Sequence, residues 1–132
     1  MNKMRAKITD IKSVQNLNIV NFIFNNQTLS MVSLELSQDI KVGSEVYISA
    51  KATHIAIAKN FSGEISYSNQ VKAKIISVNN GEILSSIIVN IGKTEIESVI
   101  TASSSKRMKL EVNDEITLLI KSTELSISEV IS

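Results

Sequence analysis

Six residues, KATHIA at positions 51–56, return seventy places later as KSTELS at 121–126, and upstream Arg5, Ala6, Lys7 and Ile8 return with a shift of sixty-seven as Lys72, Ala73, Lys74 and Ile75. A chain that contains itself twice is bound to fold as two like units. Both copies of the short motif follow an apolar run and precede an alternating one, so each sets a lysine, a small residue and a threonine where one strand gives way to the next. The expected domains are residues 1–62 and 63–132. At about 60 residues a lone core is marginal. The halves should therefore share a core or oligomerise.

Apolar residues make up 43 % of the chain and aromatic ones only 4 %. The core must therefore be mostly Ile, Val and Leu, and β-branched residues at that density favour strands. Period-two alternation places strands at Arg5–Val14 and around Val20, Phe22 and Phe24, with Asn25 and Asn26 turning into a third at Thr28–Leu36. A turn about Gly43 leads to Glu45–Ala50, and His54–Ala58 closes the half. After a short linker, Asn60–Asn69, the order repeats at Val71–Val78, Ile83–Ile91, Glu95–Thr101, Glu115–Lys121 and Leu125–Ile131. The growth of the shift from sixty-seven to seventy marks three extra residues before the fourth strand of the second half, where ASSSKRMKL (Ala102–Leu110) reads as a short capped helix. Five strands with a small helix between the third and fourth describe an all-β protein of two tandem OB-like barrels, the helix in the second.

A net charge of +1 with dispersed basic residues leaves no electrostatic footprint for nucleic acid. No cysteine is present, so disulfides and thiolate metal sites are excluded, and the lone histidine, His54, excludes a His-rich site or a Cys-His dyad. The four glycines are scattered rather than gathered into a phosphate loop, and no Ser-His-Asp set or acidic metal cluster is recognisable by spacing. No enzyme is expected. The chain shows neither a signal-like apolar stretch nor an apolar run of about eighteen residues, which reads as cytoplasmic with no membrane partner.

The segments NQVKAKIISV (69–78), IESVIT (96–101), LEVNDEI (110–116) and LIKSTELSI (119–127) resemble, in order and spacing, the molybdopterin-binding-protein (Mop) family of molybdate-binding domains, also called TOBE domains. The first half resembles the same domain through RAKI, DIKVGSEV and KATHIAIAK, so the chain looks like a tandem di-Mop protein. The resemblance implies storage or buffering of molybdate or tungstate, held between subunits of an assembly that a two-domain chain would complete as a homotrimer. It also implies an alternative, a ligand-sensing module acting with a regulatory protein partner. The family places an Ala-Arg pair between a Ser and the Asn-Gln matched by Asn69 and Gln70. Here Ser66 is followed by Tyr67 and Ser68, so a serine stands in place of the arginine.

Molybdate and tungstate at neutral pH are dianions with four oxo oxygens, so a site for them must offer hydrogen-bond donors, and a nearby carboxylate would repel them. On the resemblance, Lys121, Ser122 and Thr123 supply an ammonium and two hydroxyls, and Lys51 with Thr53 the same less one hydroxyl. Ser66, Tyr67, Ser68 and Asn69 occupy the family's anion-contacting stretch. Thr101, Ser103 and Ser104 precede the expected helix, where free N–H groups favour an anion and where helix capping is the ordinary reading. His54, beside Thr53, adds a donor when protonated, which its counterpart Glu124 cannot do.

Overall fold

In a computed structural model that describes residues 2–132, alternation becomes ten strands: β1 (Asn2–Val14), β2 (Leu17–Phe24), β3 (Gln27–Ser33), β4 (Glu45–Ala50), β5 (Ala56–Ala58), β6 (Asn69–Asn80), β7 (Leu84–Ile91), β8 (Thr94–Thr101), β9 (Glu115–Ile120) and β10 (Ser126–Val130). Short 3-10 turns over Ala52–His54 and Ser122–Glu124 occupy the two motif copies, and one helix, α1 (Ala102–Arg107), precedes β9. The fold is all-β with one short helix, as the sequence indicates. None of the described helices is long and apolar enough to cross a membrane.

In each half one long strand serves two partners. β1 pairs with β4 from Asn2 to Lys7 and with β2 from Lys7 to Val14; β6 divides itself in the same way between β9 and β7. The hand-over is made by a register shift between Ile8 and Asp10 and, at the same place in the repeat, between Ile75 and Ser77. Such a bulge bends the strand and sharpens its twist, which curls the sheet. Each bend is held from outside: Gly43 N–H donates to Ile8 O at 2.8 Å, and its counterpart Asn113 donates to Ile75 O at 2.8 Å. Both lie in the left-handed region, at φ 92° and 78°, which glycine and asparagine tolerate best.

Sheet membership crosses the repeat boundary. The sheets run β10-β4-β1-β2-β3 and β5-β9-β6-β7-β8, so the fifth strand of each half completes the sheet of the other. β5 pairs with β9 at Ala56↔Leu119, and β10 with β4 at Ser126↔Ser49. A single apolar cluster draws on both halves, with Phe22, Ile48 and Ile55 of the first packed together with Ile75, Ile96 and Ile120 of the second. Two small cores have become one, which answers the marginality of a 60-residue unit.

Side-chain amides lock the halves with two-fold pseudosymmetry. Asn69, fully buried, accepts from Ser30 N–H at 2.7 Å and donates to Ser30 O at 2.9 Å. Asn2, sixty-seven residues earlier, does the same to the backbone of Glu97, at 2.9 and 2.8 Å. Gln27 adds a third clamp on Lys72, accepting from its N–H at 2.8 Å.

α1 is shorter than the nine-residue stretch read from sequence. Lys109, at φ 52°, turns out of it while Leu110 N–H reaches back to Ser105 O at 3.2 Å and buries its side chain, a Schellman ending with its apolar contact.

Candidate functional site

The two 3-10 turns have the same local construction. Lys51 and Lys121 are extended, at φ −70° and −67°, and their carbonyls accept from His54 N–H and Glu124 N–H, each at 2.9 Å. The next residue, Ile55 or Leu125, is buried and pins the turn to the core, which leaves Lys51, Thr53, Lys121 and Thr123 exposed around it. An apolar anchor on one side and a small, tightly turned backbone on the other thus present an ammonium and a hydroxyl to solvent in each half.

Strand exchange brings these turns face to face. Fifth strands that cross over carry their preceding turns across the pseudo-two-fold, and the two end residues meet: His54 Nδ1 lies 3.1 Å from Glu124 Oε2, with side chains 38 % and 30 % exposed. Ser49, Ala50, Lys51 and His54 of the first half and Thr123, Glu124, Leu125 and Ser126 of the second line one cleft of about 230 Å³. Ser49 and Ser126 close its floor with their hydroxyls 3.2 Å apart. The cleft offers an ammonium, an imidazole and hydroxyls, with one carboxylate among them. Among the described residues no group of three or more His, Cys, Asp or Glu could hold a metal ion.

Of the residues read from sequence, the structure gathers Lys51, His54 and Thr123 in this cleft, with Thr53, Lys121 and Ser122 on the same pair of turns. Ser66, Tyr67 and Ser68 lie in the irregular segment before β6, Ser66 and Ser68 exposed. The Asn69↔Ile120 pairing sets that segment at the Lys121 end of β9. The Asn69 side chain itself is committed to Ser30. Thr101 and Ser104 serve α1: Thr101 Oγ1 accepts from Ser104 N–H at 3.2 Å, Thr101 O–H donates to Ser104 Oγ at 2.9 Å, and Ser103 Oγ lies 3.3 Å from Thr101 Oγ1. These three stand apart from the lysine cleft, whose lining includes none of them.

Two residues that sequence reasoning passed over belong to this architecture. Asn2 is the counterpart of Asn69 at the shift of sixty-seven, and that shift was a sufficient signal for it. Glu124, set aside as a mere contrast to His54, is its partner; residues at equivalent places in a duplication meet when they lie near its axis.

A second basic region lies at the far end of α1. Lys59, Arg107 and Lys109 border an open cavity of about 530 Å³. Lys59 is already satisfied there, its ammonium donating to Met108 O at 3.1 Å and Lys109 O at 3.0 Å and pairing with Asp114 Oδ2 at 3.1 Å. It caps the negative end of the helix. The Glu111 N–H, donating to the Asp114 carboxylate, and the Lys59 ammonium together hold that carboxyl below the usual aspartate range.

The sequence profile of the TOBE domain matches residues 65–127. No curated protein sequence gives a match. Among solved structures, the cytoplasmic molybdate-binding protein ModG, in a form with molybdate bound, is similar over 96 % of this chain and 94 % of its own, with a TM-score of 0.89 and 19 % identity. A molybdate-binding protein from Sporomusa ovata is 28 % identical and covers 53 % of this chain and 100 % of its own, with a TM-score of 0.47. MopII from Clostridium pasteurianum is 27 % identical over 45 % of this chain and 90 % of its own, with a TM-score of 0.42. The likeness to ModG is one of fold and extends over both halves.

Proposed function

For a chain whose second half is a TOBE domain and whose first half repeats it, we propose that the protein binds a tetrahedral oxyanion, molybdate or tungstate, and carries it in the cytoplasm without chemical change. The observation that carries this reading is the meeting of the two lysine turns, one from each half, about a single cleft. Lys51 and Lys121 supply positive charge, while Thr53, Ser122 and Thr123 supply hydroxyl donors. Ser66, Tyr67 and Ser68 precede Asn69, whose pairing with Ile120 sets their segment at the Lys121 end of β9 and supports a share in the site. Charge-assisted hydrogen bonds of this kind are strong where water is scarce.

Each turn is exposed in the single chain, so a second surface must cover it to exclude water, and a homotrimer would provide one. Leu34, Val42, Ile83 and Leu84, apolar and exposed, favour such burial. Calorimetric titration with molybdate, tungstate and sulfate, with the solution mass measured alongside, tests the proposal. Saturable binding of the first two by a trimer is expected. Lys51→Ala and Lys121→Ala should each weaken binding by about tenfold or more, the weight of one charge-assisted contact of about 1.5–3 kcal/mol. No saturation with any of the three anions would end the oxyanion reading.

A further inference from the structure

We propose that Glu124 is the affinity-setting residue of the lysine cleft and that His54 gates it, so that the cleft takes a fully deprotonated oxyanion well only when His54 carries a proton. This deepens the oxyanion reading and rests on it. An anion with oxo oxygens alone has nothing to donate to a carboxylate. Yet Glu124 lines the cleft together with Lys51 and Thr123, and among the described residues the one polar side chain within hydrogen-bond distance of its carboxylate is His54. With His54 neutral, the carboxylate of Glu124 offsets one of the two ammonium charges, Lys51 and Lys121, that the turns offer an incoming dianion. Protonation of the imidazole adds one positive charge and one N–H donor, and cancels the carboxylate in place of the lysine.

Lys51 and Lys121 flank the His54–Glu124 pair on the two turns. Strand β8, packed on the first turn, contributes Glu95 and Glu97, and the Glu97 carboxylate accepts from Ser86 O–H at 2.5 Å. Strand β3, packed on the second turn, contains no ionisable residue. The duplication accounts for the arrangement. Identical residues at positions 54 and 124 would set like groups against each other across the axis, whereas His and Glu make a pair there that responds to pH.

The test is titration of the full chain with molybdate from about pH 6 to about pH 8, where the anion stays deprotonated, for wild type, His54→Gln and Glu124→Gln. In wild type affinity should fall by about tenfold as pH rises, the weight of one charge a few ångström away with partial screening. His54→Gln should be flat at the weak, high-pH value. Glu124→Gln should bind about tenfold more tightly than wild type at pH 8. Binding by Glu124→Gln where wild type shows none would also support the gate, as a cleft closed by its carboxylate. A flat wild-type profile, or Glu124→Gln no tighter than wild type, overturns the gate while leaving the oxyanion reading intact. Absence of binding by all three proteins overturns both. Thermal unfolding of each variant, expected to stay close to wild type because both side chains are part-exposed, separates these outcomes from misfolding.

Discussion

Asn69 shows most clearly what a single residue contributes here and what its sequence context hides. An asparagine next to a lysine turn looks like an anion donor, but its fully buried amide is spent on both backbone groups of Ser30. Burial is a property of the partner surface and is invisible locally. Replacing it with alanine leaves the half-buried N–H and C=O of Ser30 without their partner, so Asn69→Ala should destabilise the fold by about 1–3 kcal/mol in denaturant unfolding. Asn2→Ala should act in the same direction through Glu97. Asp114 yields a pH prediction with a definite sign. The Glu111 N–H and the Lys59 ammonium depress its folded pKa, so the folded chain binds fewer protons there than the unfolded one. Its contribution is present above the unfolded aspartate value of about 3.9 and is lost as pH falls through the folded value. Asp114→Asn should therefore be less stable than wild type at neutral pH, and the difference should close as pH falls through the folded value.

At the scale of elements, period-two alternation and the Asn25-Asn26 turn were enough to find the eight strands that have buried residues, while β5 and β10, which bury none, were legible as the runs that follow the repeated motif, β5 beginning at Ala56 rather than at His54. The exchange of β5 and β10 was beyond such reading. In a duplicated chain both candidate partners present the same apolar face, and the alternation of AIA or SISEV is satisfied equally by β4 or β9. What decides is the pair of five-residue links through the lysine turns, which carry each fifth strand across the axis. A variant truncated after Leu125 removes β10, and so uncovers the β4 edge of the first half's sheet. Exposed edges invite pairing with other chains. The truncated protein should lose its sharp unfolding transition and associate, as measured by calorimetry and light scattering; a monomer unfolding as cooperatively as wild type would contradict the exchange.

Over the whole molecule, the same crossing that merges two small cores also builds the candidate site. Neither half alone contains the cleft, since Lys51 and His54 come from one and Thr123 and Glu124 from the other. Sequence reasoning could name Lys51, His54 and Thr123, though not Glu124, because both motif copies are legible and resemble a known anion-binding family. It could not bring them together, since that depends on which sheet receives each fifth strand. The shared apolar cluster further implies one cooperative unfolding event for the entire chain rather than two. On the proposed function the lysine turns, and not the Lys59–Arg107–Lys109 surface, hold the anion. The most direct measurement is a crystal structure with tungstate, located by the anomalous scattering of tungsten. Tungsten is expected within hydrogen-bonding reach of Lys51 or Lys121 and their neighbouring hydroxyls. Tungsten bound beside α1 with both lysine turns empty would contradict the proposed function.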